Sequence, residues 1–227
     1  MNKIAELVNR MKAIPDKETR ATQLEGMKTV RDKVRAAADT ADELRVQTVA
    51  LAAIKDVDFV EKGRISLAQA SNSAIAMKKR YDQGSGLDLK RADTALIQIN
   101  ERLAQGTSAV EKGWRALIDD QVRRFKPLAE ATERALLPGA GSLRDAITLV
   151  EGWRDGPPAT RQATELYLEH AAQLPASIAK LGLEGRAGKF MVDASNGRAK
   201  ARDLQDAEVL AFLEAYPAVW AMLKVAL

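Results

Sequence analysis

Two heptad runs constrain this chain more than any other feature. The first is carried by Met27, Val30, Val34, Ala37, Ala41, Leu44, Thr48 and Leu51, and the second by Val60, Gly63, Leu67, Ala70, Ala74, Met77 and Tyr81. Steps of three and four residues place each set along one side of an α-helix, the arrangement of a seam packed lengthwise on another helix. Continuing the first run would put Lys55 and Lys62 on the seam, yet the second run centres on Val60 and Leu67. The phase therefore breaks between them. Asp58 followed by Glu61 has the pattern of a capping box, which favours a turn near Asp56 to Asp58 over one kinked helix.

Other segments are helical as well. A first helix is expected from Asn2 to Ala13, ending before Pro15, because the residue preceding proline is driven out of the α region. A second, from about Asp16 to Lys55, spans roughly 60 Å. Leu96, Ile99, Leu103, Val110, Trp114, Leu117 and Phe125 keep a helical period up to Pro127. Gly106 and Gly113 lie on or beside that stripe, where they either weaken the helix or admit a close neighbour. Leu128 to Leu137 makes one more helical stretch.

Pro138-Gly-Ala-Gly141 is the strongest punctuation in the chain. The expected organisation is all-α: an elongated antiparallel helical bundle or coiled coil over 1–137, then a small, mainly helical C-terminal domain over 142–227. In the latter, Pro175 closes one helix, Asp203 to Asp206 opens the last, and Asn196-Gly197 has two readings. Both residues tolerate positive φ, which suits a short β-hairpin turn and, equally, a helix stop with glycine just past the end.

Composition separates function classes. Hydrophobic residues make up 46% of the 227, enough for a core, while aromatics are only 4%, so alanine and aliphatic side chains must do most of the packing. Cysteine is absent, which removes disulfides, thiol nucleophiles and cysteine metal sites, and fits the cytoplasm. The start of the chain acquires Glu6 at once and does not read as a signal peptide. The most apolar stretch, Ala211 to Leu227, contains Glu214, Pro217 and Lys224 and reads as a docked terminal helix, so no membrane partner is expected.

No catalytic constellation emerges, and no cofactor or metal site is expected. His170 is the only histidine, and its helical neighbours Leu166, Tyr167, Gln173 and Leu174 supply no carboxylate. Asp119 and Asp120 read as helix-face charges. Gly182-Leu-Glu-Gly-Arg-Ala-Gly-Lys189 has one residue too many for a phosphate loop, and Phe190 stands where Ser or Thr belongs.

The formal charge of +4 equals the excess in one segment, where Arg186, Lys189, Arg198, Lys200 and Arg202 face only Asp193. These five cations are candidate contacts to nucleic acid or another anion, in a winged-helix-like module if the hairpin forms. Tyr216 and Trp220 are candidate docking aromatics. The leading expectation is a non-catalytic scaffold or adaptor, using the seams to form a homo-oligomer or to bind a protein partner. A nucleic-acid-binding accessory protein is the alternative.

Overall fold

The structure is a computed structural model. It describes the backbone of residues 3–55, 57–82 and 89–223, and the side chains of 21–55, 57–80, 89–220 and 223. The fold is all-α, with seven α-helices and no strand among the described residues. Helix α1 covers Lys3–Ala50 and passes through a short 3-10 turn, Leu51–Ala53, before α2 begins at Asp58 and runs to Asp82. Helix α3 spans Leu89–Arg134, α4 Ala140–Glu151, α5 Arg161–Lys180, α6 Gly185–Ser195 and α7 Ala207–Ala215. Two further 3-10 turns, Ala201–Gln205 and Pro217–Met222, flank α7. None of the described helices is long and apolar enough to cross a membrane.

Three helix boundaries expected at proline are absent. Helix α1 continues through Pro15, α3 through Pro127 and α5 through Pro175. A proline inside a helix removes one backbone hydrogen bond and crowds the carbonyl four residues earlier. At Pro127 and Pro175 the ring lies on an exposed face, where water can satisfy that carbonyl. In α5 buried residues flank the ring, Leu174 before it and Ser177 and Ile178 after it, whereas in α3 the half-buried Phe125 precedes it and buried Leu128, Ala129 and Ala131 follow. Packing beside the ring holds α3 and α5 together against the local preference.

The chain forms two compact units. Residues 1–48 and 60–109 make the first, and residues 49–59 and 110–227 the second. The division thus falls within α3, and the Pro138–Gly141 punctuation lies inside the second unit, linking α3 to α4.

In the first unit α1 and α3 run in the same direction with α2 opposed to both. Gly26 lies against Leu89, Lys33 pairs with Asp93, and Leu44 lies against Gly106, whereas Arg102 donates to the Gln69 carbonyl at 3.4 Å and Gly106 meets Ser66. The buried residues are mostly aliphatic: Ala37, Leu44, Ala70, Ala92, Leu96, Ile99 and Leu103. The phase break in the heptads is therefore a real turn between two helices. Gly106 is where α3 closely meets both other helices. A Cβ there would sit 2.8 Å from Leu44 Cδ2 and 2.8 Å from Ser66 Cβ, so α3 is held against α1 and α2 together. In the second unit Gly113 likewise occupies a place where any side chain would overlap the Phe59 ring.

In the second unit three helices stop with one hydrogen-bond pattern. After α3, Leu137 N donates to Thr132 O at 3.0 Å and Leu136 N to Glu133 O at 2.9 Å. After α5, Leu183 N reaches Ile178 O at 3.1 Å and Gly182 N reaches Ala179 O at 3.0 Å. After α6, Arg198 N reaches Asp193 O at 2.7 Å and Gly197 N reaches Ala194 O at 3.0 Å. These are Schellman stops, in which the reversing residue takes a left-handed conformation. Gly182 (φ 63°) and Gly197 (φ 68°) adopt it without a Cβ penalty. Asn196-Gly197 is thus the end of a helix, and the β-hairpin reading is set aside.

The third reversing residue is Leu136, with φ 53° and a side chain 87% exposed. A left-handed residue with a Cβ costs about 1–2 kcal/mol, and this side chain gains little packing in return. Leu136→Gly should therefore raise unfolding free energy by about 1 kcal/mol, read as a higher urea midpoint at unchanged m-value. Gly106→Ala should do the reverse and cost about 1–3 kcal/mol, because the new methyl overlaps two neighbours in an otherwise favourable helical position.

Candidate functional site

The heptad residues converge on a groove in the first unit. Val34, Ala37, Ala38 and Ala41 of α1 form one wall, and Leu67, Ala70, Ala74 and Met77 of α2 the other. Leu96, Ile99 and Leu103 of α3 form the base, and the space enclosed is about 510 Å³. Small side chains face each other across it, so α1 and α2 do not fill the space between them. The groove's charged residues, Asp42 and Arg45, are paired to each other at 2.7 Å. What remains is an apolar surface without a counterpart among the described residues.

Burial along the seams is graded accordingly. Ala37, Leu44, Thr48, Leu51, Val60 and Ala70 are buried. Val30, Ala41, Leu67 and Met77 are half-buried, whereas Ala74 is exposed, Met27 is 49% exposed and Val34 39%. The Tyr81 side chain lies outside the described residues. Leu51 belongs to the second unit, and the other residues of both seams to the first.

A second feature gathers the basic residues. Arg186, Lys189, Arg198, Lys200 and Arg202 all line one polar cleft of about 470 Å³ in the second unit. Helix α6 supplies the first two. The reversal at Gly197 brings the chain back so that the other three face them. Asp193, Asp203 and Asp206 line the same cleft, which tempers the positive charge expected from residues 186–202 alone. Asp206 is occupied by the N-terminus of α7, accepting from Glu208 N at 3.0 Å, and also lies 3.5 Å from Arg186 Nε. Asp203 accepts from Lys200 N at 2.9 Å. The preceding glycines have structural work: Gly182 ends α5, and a side chain at Gly188 would overlap the Leu183 carbonyl. The docking aromatics are placed differently from each other. Tyr216 is half-buried against Phe212, ring centroids 5.1 Å apart, while Trp220 is 46% exposed.

Trp114, Trp153, Tyr167 and His170 of the second unit form a cluster that heptad and helix patterns did not reveal. Trp114 is fully buried and donates from Nε1 to the Trp153 carbonyl at 2.7 Å. Its ring meets Tyr167 edge-on at 4.7 Å, and the Tyr167 hydroxyl donates to Gln121 Oε1 at 3.1 Å. Trp153 Nε1 donates to His170 Nδ1 at 3.1 Å, which leaves the histidine proton on Nε2. The orienting partner of His170 is thus a neutral indole seventeen residues earlier. Asp119 pairs with Arg154 at 2.9 Å and Asp120 pairs with Arg123, as helix-face charges do. Among the described residues no group of three or more His, Asp or Glu is placed to hold a metal ion.

No family model matches this chain, and no curated protein or solved structure is significantly similar to it.

The aromatic cluster carries its own pH dependence. Burial raises the Tyr167 phenol above its ordinary value of 10.0, an effect only partly opposed by the Gln121 hydrogen bond. The unfolded chain releases that proton near 10.0, whereas the folded chain retains it. This contribution to stability is complete below that pH and is lost as pH rises towards the folded value. Tyr167→Phe should flatten this alkaline decline in urea titrations, while losing about 1 kcal/mol at neutral pH with the Gln121 bond.

Proposed function

We propose that this protein is a non-catalytic scaffold or adaptor subunit whose first unit receives an apolar helix from another chain. The observation that carries this reading is the convergence of both heptad seams on a groove that three helices leave open. A monomer gains nothing by aligning Val34, Leu67 and Met77 along a surface in contact with water. A helix laid in the groove would bury those side chains and complete the packing that alanine walls leave unfinished. Self-association is the simplest arrangement, because each chain carries both a groove and apolar helix faces such as Ile65, Ile75 and Ile97. The second unit holds partner-specific contacts, with Trp220 as the exposed aromatic. The lack of cysteine suits a reducing compartment, and we place the assembly in the cytoplasm.

Two substitutions separate folding from assembly. Leu44 is 1% exposed, so Leu44→Asp buries an unpaired charge in the unit itself and should unfold it. Val34 stands on the open wall, so Val34→Asp should leave helicity intact and dissociate the oligomer, measured by light scattering after size exclusion. A wild-type chain that stays monomeric at high concentration, and behaves no differently from Val34→Asp, would sink the reading.

A further inference from the structure

We infer that the basic cleft of the second unit is a binding site for a small phosphomonoester. The five cations come from three successive pieces of chain, α6, the return after Gly197 and the following 3-10 turn, yet they line one concavity. Lys189, Arg198, Lys200 and Arg202 form no ion pair among the described residues. Four like charges held around one cleft repel one another, and an anion between them relieves that repulsion. Two of the three carboxylates are committed elsewhere, Asp203 to the Lys200 amide and Asp206 to the start of α7. Both keep their negative charge, so with Asp193 three carboxylates stand against the five cations and the lining retains a positive excess.

The start of α6 does not compete for the ligand. Its backbone N–H at Arg186 already donates to Glu208 Oε2 at 2.8 Å, so an internal carboxylate fills the place a phosphate would take. Recognition falls to side chains, with arginine forks at Arg198 and Arg202 suited to phosphate oxygens and Lys189 and Lys200 acting as point charges.

The shape selects a compact ligand over a polymer. About 470 Å³ is within the range of small-molecule sites, and Phe190 and Val209 close it with apolar surface. A nucleic-acid strand needs cations along its contour, and here its neighbouring phosphates would meet Asp193, Asp203 and Asp206. A compact ligand with one phosphate needs no such row of cations.

Calorimetric titration of the full chain in low-salt, phosphate-free buffer tests the assignment, with inorganic phosphate, glycerol phosphate, glycerol and single-stranded oligothymidylate as probes. Both phosphates should saturate a single site, and glycerol should give no heat. The double variant Lys189→Gln/Arg198→Gln should weaken phosphate by about tenfold or more without shifting the thermal melt, since both side chains are exposed. Asp193→Asn, which removes a carboxylate from the cleft, should tighten it. The assignment fails if neither phosphate saturates, or if the variants leave affinity unchanged. It also fails if oligothymidylate binds more tightly than glycerol phosphate with a salt dependence of several phosphates, which would make the cleft a nucleic-acid contact.

Discussion

The first unit depends on one close approach. At Gly106, α3 meets Leu44 of α1 and Ser66 of α2 with no room for a methyl group. That contact fixes the register of the three helices, and the Lys33–Asp93 pair and the Arg102–Gln69 bond keep the same register along α3. Away from the pinch the walls carry Ala37, Ala38, Ala41 and Ala74, which are too short to span the distance between helices. The groove is what remains when helices are clamped at a glycine and lined with alanines. Small residues can draw helices together, but only where nothing larger nearby sets the spacing.

The second unit solves the packing problem another way. With aromatics at 4% of the chain, it places Trp114, Trp153 and Tyr167 in one cluster and ties each polar atom to a partner. Trp114 fills the interior between its helical neighbours, and its indole N–H is satisfied by a carbonyl just past the end of α4. Fixed chain reversals at Leu136, Gly182 and Gly197 then turn the chain between its short helices. Cation placement follows from the last of these reversals, since Arg198 leaves it directly above α6.

How much of this was legible in the sequence depended on whether the deciding interaction was local. The heptads identified α1 and α2 and the turn between them, because periodicity and a phase break are properties of neighbouring residues. They did not distinguish buried Ala37 and Leu44 from exposed Met27 and Ala74, since a repeat shows which side of a helix is apolar and not how many neighbours cover it. The proline rule failed at Pro127 and Pro175 because packed residues beside each ring outweighed one lost hydrogen bond. Asn196-Gly197 was open between two structures that both want a left-handed glycine, and the negative φ of Asn196 and the hydrogen bonds to Asp193 and Ala194 separate them. The cations were visible as a run, but their convergence with Asp206 needed the fold. Trp153 could not be matched to His170 by any short-range pattern.

The open groove also bears on how much of this protein persists. Anything that fills it binds only the folded first unit and so stabilises that unit in proportion to its own concentration. The gain is about 2.7 kcal/mol when an occupant is present at a hundred times its dissociation constant. An unfilled groove leaves apolar surface in water and forgoes that gain, which exposes the chain to proteolysis and aggregation. Abundance would then follow supply of the occupant, with Gly106 and the alanines acting as the gauge.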